Sequence, residues 1–234
     1  MGMFRNGLAA LALVAVAGAA HATPVTLSAQ QPGDIFAGGG VANVTYDNQG
    51  EQKTVRAGAF RVTDGVSNFL AWCLDIANTL SLPAPYTITE TPFAATTGAL
   101  SATVQQNLTR LFNTAYTSVD VNNNAQSAGF QLALWEVVNE GQTFDITDGD
   151  FRWIAGSTGA RDLANSYLAM MTGPETMQFQ LTFFESGVDA KGKQFSQNLV
   201  SVAPIPLPAG VWLLGAGLIG IAAVGRRRRR ADTA

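Results

Sequence analysis

The hydrophobic period of this chain changes twice. From Val25 to Leu74, apolar residues alternate with polar ones or form short runs. From Thr103 to Met171 they recur at helical spacing, and from Met177 they alternate again. Strands, then helices, then strands predict an α+β fold. An antiparallel β-rich part would hold a helical subdomain inserted between its N-terminal and C-terminal strands. Early strands are expected at 25–28, 41–46, 54–56, 59–62 and 69–74. A hairpin loop is expected at Asp47-Asn48-Gln49-Gly50. Residues 83–97 read as irregular with short extended pieces. Helices are expected at 103–116, 125–140 and 159–171, with a short one at 150–154. The last strands are expected at 177–184 and 195–202.

The two ends carry a different message. Arg5 precedes an apolar stretch from Leu8 to Ala19, and Ala20-His21-Ala22 is a small-x-small cleavage site. That is a signal peptide over 1–22, with the mature chain beginning at Thr23. Near the C-terminus Pro204, Pro206 and Pro208 alternate, which keeps the backbone extended. An uncharged run over 209–225 follows. As a transmembrane helix it would reach ~25 Å, slightly short of a hydrocarbon core. Arg226, Arg227, Arg228, Arg229 and Arg230 then form a stop that stays cytoplasmic. The order resembles a PEP-CTERM sorting signal of the VPLPA type. The motif is Ile205 followed by Pro206, Leu207, Pro208 and Ala209, then Trp212-Leu213-Leu214 and small residues. The resemblance implies a Gram-negative host and an exosortase-type transpeptidase as partner. The precursor would be anchored in the inner membrane, then processed to the cell surface or extracellular matrix. The chain thus divides into 1–22, a body over 23–203, a sorting signal over 204–230 and a tail over 231–234.

Composition narrows what the body does. Six of the fourteen basic residues but one of the seventeen acidic ones lie in the two ends. The body therefore carries a net charge of about −8, which disfavours nucleic acid as a partner. The one histidine, His21, is in the signal peptide, and the one cysteine is Cys73. Histidine-based triads, Cys–His dyads and histidine zinc sites are excluded from the body, and no internal disulfide is available. No metal and no cofactor is expected. Hydrolysis by paired carboxylates stays open, although no pair of acids stands out.

Two short motifs carry the remaining chemistry. They are Trp72-Cys73-Leu74-Asp75 and Phe130-Gln131-Leu132-Ala133-Leu134-Trp135-Glu136. They resemble the two signatures of bacterial thioester domains, found at the tips of Gram-positive surface adhesins. The resemblance implies a thioester between Cys73 and Gln131, formed with loss of ammonia. Trp72 and Trp135 would shield it from water. It further implies a non-enzymatic adhesion role, in which the bond attaches to amines on an extracellular protein or polymer. A non-covalent structural matrix or biofilm protein without a thioester is the alternative. Asp75 and Glu136 are candidates for proton transfer.

Overall fold

Alternating residues with a partner strand on each side close a sheet on itself, and six strands of this chain do so. A computed structural model describes residues 23–93 and 98–205. The expected signal peptide over 1–22, Pro206, Leu207, Pro208, Ala209, the predicted membrane helix and Arg226 to Arg230 lie outside the described residues. Within them the elements run β1 (Thr23–Ala29), β2 (Ala42–Asn48), β3 (Glu51–Ala57), β4 (Phe60–Thr63), β5 (Asn68–Cys73) and β6 (Ala84–Thr89). Then come α1 (Ala102–Ala115), α2 (Asn124–Glu140), β7 (Phe151–Gly156), α3 (Thr158–Met170), β8 (Phe179–Ser186) and β9 (Leu199–Pro204). The fold is mixed α+β, and its sheets are antiparallel. Among the described residues no helix is long and apolar enough to cross a membrane.

The barrel order is β1-β4-β5-β9-β8-β6. Its inner face is apolar and aromatic. Phe69 of β5 and Phe184 of β8 stack at 5.4 Å, with β9 between their strands. A second sheet, β3-β2-β7, lies apart. Its β2–β3 hairpin turns over Gln49 and Gly50, both at positive φ (54° and 90°), as a tight primed turn requires.

The helical part joins the two sheets. Asn123 caps α2 by accepting from the N–H groups of Ala125 and Gln126. Every residue of α2 from Ser127 to Val137 is buried. A helix that is apolar on all sides must be wrapped on all sides. Here α1, α3, the small sheet and β5 do the wrapping. Gly129 lets α3 come close, since a Cβ there would meet the Ala160 carbonyl oxygen at 2.8 Å.

Three local expectations change. Residues 150–154 are not a helix. Phe151, Trp153 and Ile154 suit a strand, and β7 pairs them along β2, with Asn48 opposite Phe151 and Tyr46 opposite Trp153. Residues 84–89 are a strand rather than irregular. Pro85 masked it, but the ladder to β8 begins at Tyr86, one residue past that proline. The last strand also sits later than 195–202, since β9 is Leu199–Pro204. Pro204 pairs with Phe179, and the Ile205 N–H donates to the Gln178 carbonyl at 2.9 Å.

Candidate functional site

The site begins where β5 loses a neighbour. The Leu74 N–H donates to the Asn198 carbonyl at 3.0 Å, toward the β9 side. In an antiparallel ladder adjacent residues face opposite edges, so the polar groups of Cys73 turn toward the β4 side. There β4 has nothing to offer, because its pairing with β5 stops at Phe60 opposite Ala71. Gln131 of α2 fills the gap. Its Oε1 accepts from the Cys73 N–H at 2.9 Å, and its Nε2 donates to the Cys73 carbonyl at 2.7 Å. One helix side chain thus completes a β-ladder, and both ends of its carboxamide are engaged by backbone. Ser127, one turn earlier, accepts from the Ala59 N–H just before β4 at 2.9 Å.

The thiol faces a different glutamine. Side chains stand perpendicular to the ladder, so the Cys73 sulfur leaves the plane in which Gln131 is bound. It has two acceptors, the Gln197 Oε1 at 3.0 Å and the Asp75 carbonyl at 3.2 Å. Gln197 lies two residues before Leu199, the residue opposite Cys73 in the β5–β9 ladder. It is therefore a diagonal neighbour on the same face. Its backbone is firmly held. The Tyr86 hydroxyl donates to the Gln197 carbonyl at 3.0 Å. Ser186 fixes both flanks: its N–H donates to Asn198 Oδ1 at 2.7 Å, and its hydroxyl accepts from the Ser196 N–H at 2.9 Å.

The two tryptophans separate. Trp72 follows strand alternation to the opposite face from Cys73. There it packs on Phe130 (ring centroids 4.8 Å apart) and Tyr116 (6.2 Å), and it does not cover the thiol. Trp135 does reach the site, one turn after Gln131. It lies against Tyr46 and lines the same cavity as the sulfur. Burial pushes the Cys73 thiol far above its ordinary range, so the neutral S–H is the resting form. The Trp135 indole N–H opposes this by favouring the thiolate, yet it closes no hydrogen bond of normal geometry. Tyr46 is pushed up to about 12, chiefly by burial and further by the nearby Asp75 carboxylate.

These groups form the floor of a cavity of about 420 Å³. Cys73, Gln131, Gln197 and Trp135 line its inner end. Asp75 lies two residues after Cys73, but its carboxylate is taken up by the Ala77 N–H and Asn78 Nδ2. Among the described residues no cluster of histidine, cysteine or acidic side chains could hold a metal.

Glu136 faces away from this cavity. Its Oε1 accepts from the Asp145 N–H at 2.8 Å, while Oε2 is buried without a partner. Burial, helped by the charges of Glu140 and Asp145, raises its pKa to about 8. The folded state then holds a proton that the unfolded chain releases at ordinary carboxylate pH. Stability is full below the unfolded value and falls as pH rises toward about 8, by at most ~1.4 kcal/mol per pH unit. Glu136→Gln keeps the acceptor for Asp145 and cannot ionise. Urea unfolding from acid to mildly alkaline pH should show a shallower decline for this variant, with its largest gain at the alkaline end.

No protein-family model matches the chain, and no curated protein matches it. Cys73 and Gln131 do come together as the two motifs led one to expect. What the sequence did not reveal is Gln197. Its signal was the polar run Ser196-Gln197-Asn198 directly before an apolar strand. That run acquires meaning only once β9 is known to lie beside β5.

Proposed function

We propose that this is an exported surface or matrix protein that attaches covalently to extracellular amines through an internal thioester. The Cys73 sulfur is one half of the bond, and we assign the acyl half to Gln197 rather than Gln131. The observation that carries the assignment is the 3.0 Å contact between the sulfur and the Gln197 carboxamide. The Gln131 carboxamide, by contrast, is bound at both ends by the Cys73 backbone. The sulfur attacks Gln197 Cδ, the C–N bond breaks, and nitrogen leaves as ammonia with the thiol proton. An arriving amine then attacks the same carbon, the C–S bond breaks, and the sulfur regains a proton. Nothing is oxidised or reduced. The reaction runs once per molecule, as attachment rather than turnover. The pinned segment around Gln197 supports it by holding the reacting groups without further ordering.

Intact mass of the purified mature body tests this. It should be lighter than its sequence by one ammonia, resist thiol reagents, and gain one methylamine on incubation. Full sequence mass with a thiol that titrates once the protein is unfolded leaves the structural matrix role.

Sorting is the second part of the proposal. The proline motif and arginine stop would deliver the body to an exosortase-type enzyme, which removes the tail. Replacing Pro206 and Pro208, or deleting Arg226 to Arg230, should trap unprocessed precursor in the membrane. Normal surface display with a normal mature C-terminus in those variants contradicts it.

A further inference from the structure

The cavity above the sulfur carries information about what it accepts, and this inference rests on the thioester assignment. Much of its wall is apolar, with Ile35, Phe36, Val55, Phe60, Ile76 and Leu80 beside the polar Thr54, Asn78 and Thr79. Phe36 and Phe60 are buried and hold each other at 5.2 Å between ring centroids. Such a wall suits methylene groups.

One cation interrupts it. Arg56 lines the same cavity, and its guanidinium lies 4.5 Å from the centre of the Phe36 ring. Among the described residues Arg61, Arg110, Arg152 and Arg161 are each paired with a carboxylate. Arg56 has no such pair. Stacking holds its planar end in place and leaves its donors open. On a body with a net charge of about −8, this places a cation on the wall of the cavity that the sulfur also lines.

We propose that the preferred acceptor is a primary amine on an aliphatic stem that also bears a carboxylate. A lysine beside an acidic side chain has that form. The stem lies along the apolar wall, the carboxylate meets Arg56, and the amine reaches the acyl carbon. A polyamine, which offers a second cation to Arg56, is disfavoured.

The test compares amines of similar basicity by mass spectrometry of the full mature body, each rate divided by the methylamine rate of the same protein. Aminohexanoate should open the bond about five- to ten-fold faster than hexylamine, and hexanediamine more slowly than hexylamine, with the spread shrinking in high salt. Arg56→Glu should invert the order of aminohexanoate and hexanediamine. Methylamine uptake with equal rates for the three longer amines overturns the acceptor assignment alone. No methylamine uptake by the wild type overturns the thioester and the acceptor assignment together. Because the wild-type ranking is decisive by itself, the test does not depend on the variant.

Discussion

Gln197→Ala is expected to yield a folded protein of full sequence mass with a free thiol and no amine uptake. The thioester needs an acyl carbon beside the sulfur, and Gln197 is the side chain whose carboxamide contacts that sulfur, at 3.0 Å. Relative to wild type whose bond has first been opened by methylamine, so that the lost cross-link is not counted, loss of the carboxamide removes one hydrogen bond to a thiol, a modest change of about 1 kcal/mol or less. The neighbouring residues are held by their own bonds to Ser186 and Tyr86. The chemistry should therefore disappear while the fold persists. Intact mass and thiol titration of the variant read this directly. If Gln197→Ala still lacks one ammonia, the acyl half lies elsewhere and Gln131 regains the assignment.

The second large effect has the opposite signature. Gln131→Ala should destabilise the body by about 2–5 kcal/mol. Two bonds vanish at once, and the Cys73 N–H and carbonyl are left buried with no strand beside them. A void next to Leu132 and Trp135 adds to the cost. Urea unfolding should be measured on protein whose bond has first been opened by methylamine, so that the cross-link itself is not counted. A change below ~1 kcal/mol would mean that Gln131 does not hold the end of β5. Together the two variants separate a residue that reacts from one that positions, although both are buried glutamines within reach of Cys73.

Much of this architecture was legible in the residues. The two changes of period marked the strands and helices because most elements bury one repeating face, α2 alone being buried all round. Cys73 and Gln131 were paired through the resemblance of their two motifs to thioester-domain signatures, and the structure places them side by side. Three things were hidden, each for a physical reason. Trp72 and Cys73 are adjacent in sequence, so they looked like one motif, but strand alternation sends them to opposite faces. Phe151 to Gly156 became a strand because β2 offered it an edge, which local pattern does not contain. Gln197 was invisible because its role depends on β9 lying beside β5. That pairing brings together residues more than a hundred positions apart and follows from barrel closure.

Peptide mapping after methylamine treatment decides whether the bond joins Cys73 to Gln197. The mature wild-type body is incubated with methylamine, digested, and sequenced by tandem mass spectrometry with a thiol label added last. The account predicts methylamide on Gln197, an unmodified Gln131, and the thiol label on Cys73. Methylamide on Gln131 contradicts the assignment of the acyl half, and a thiol label on Cys73 with no methylamide anywhere contradicts the thioester.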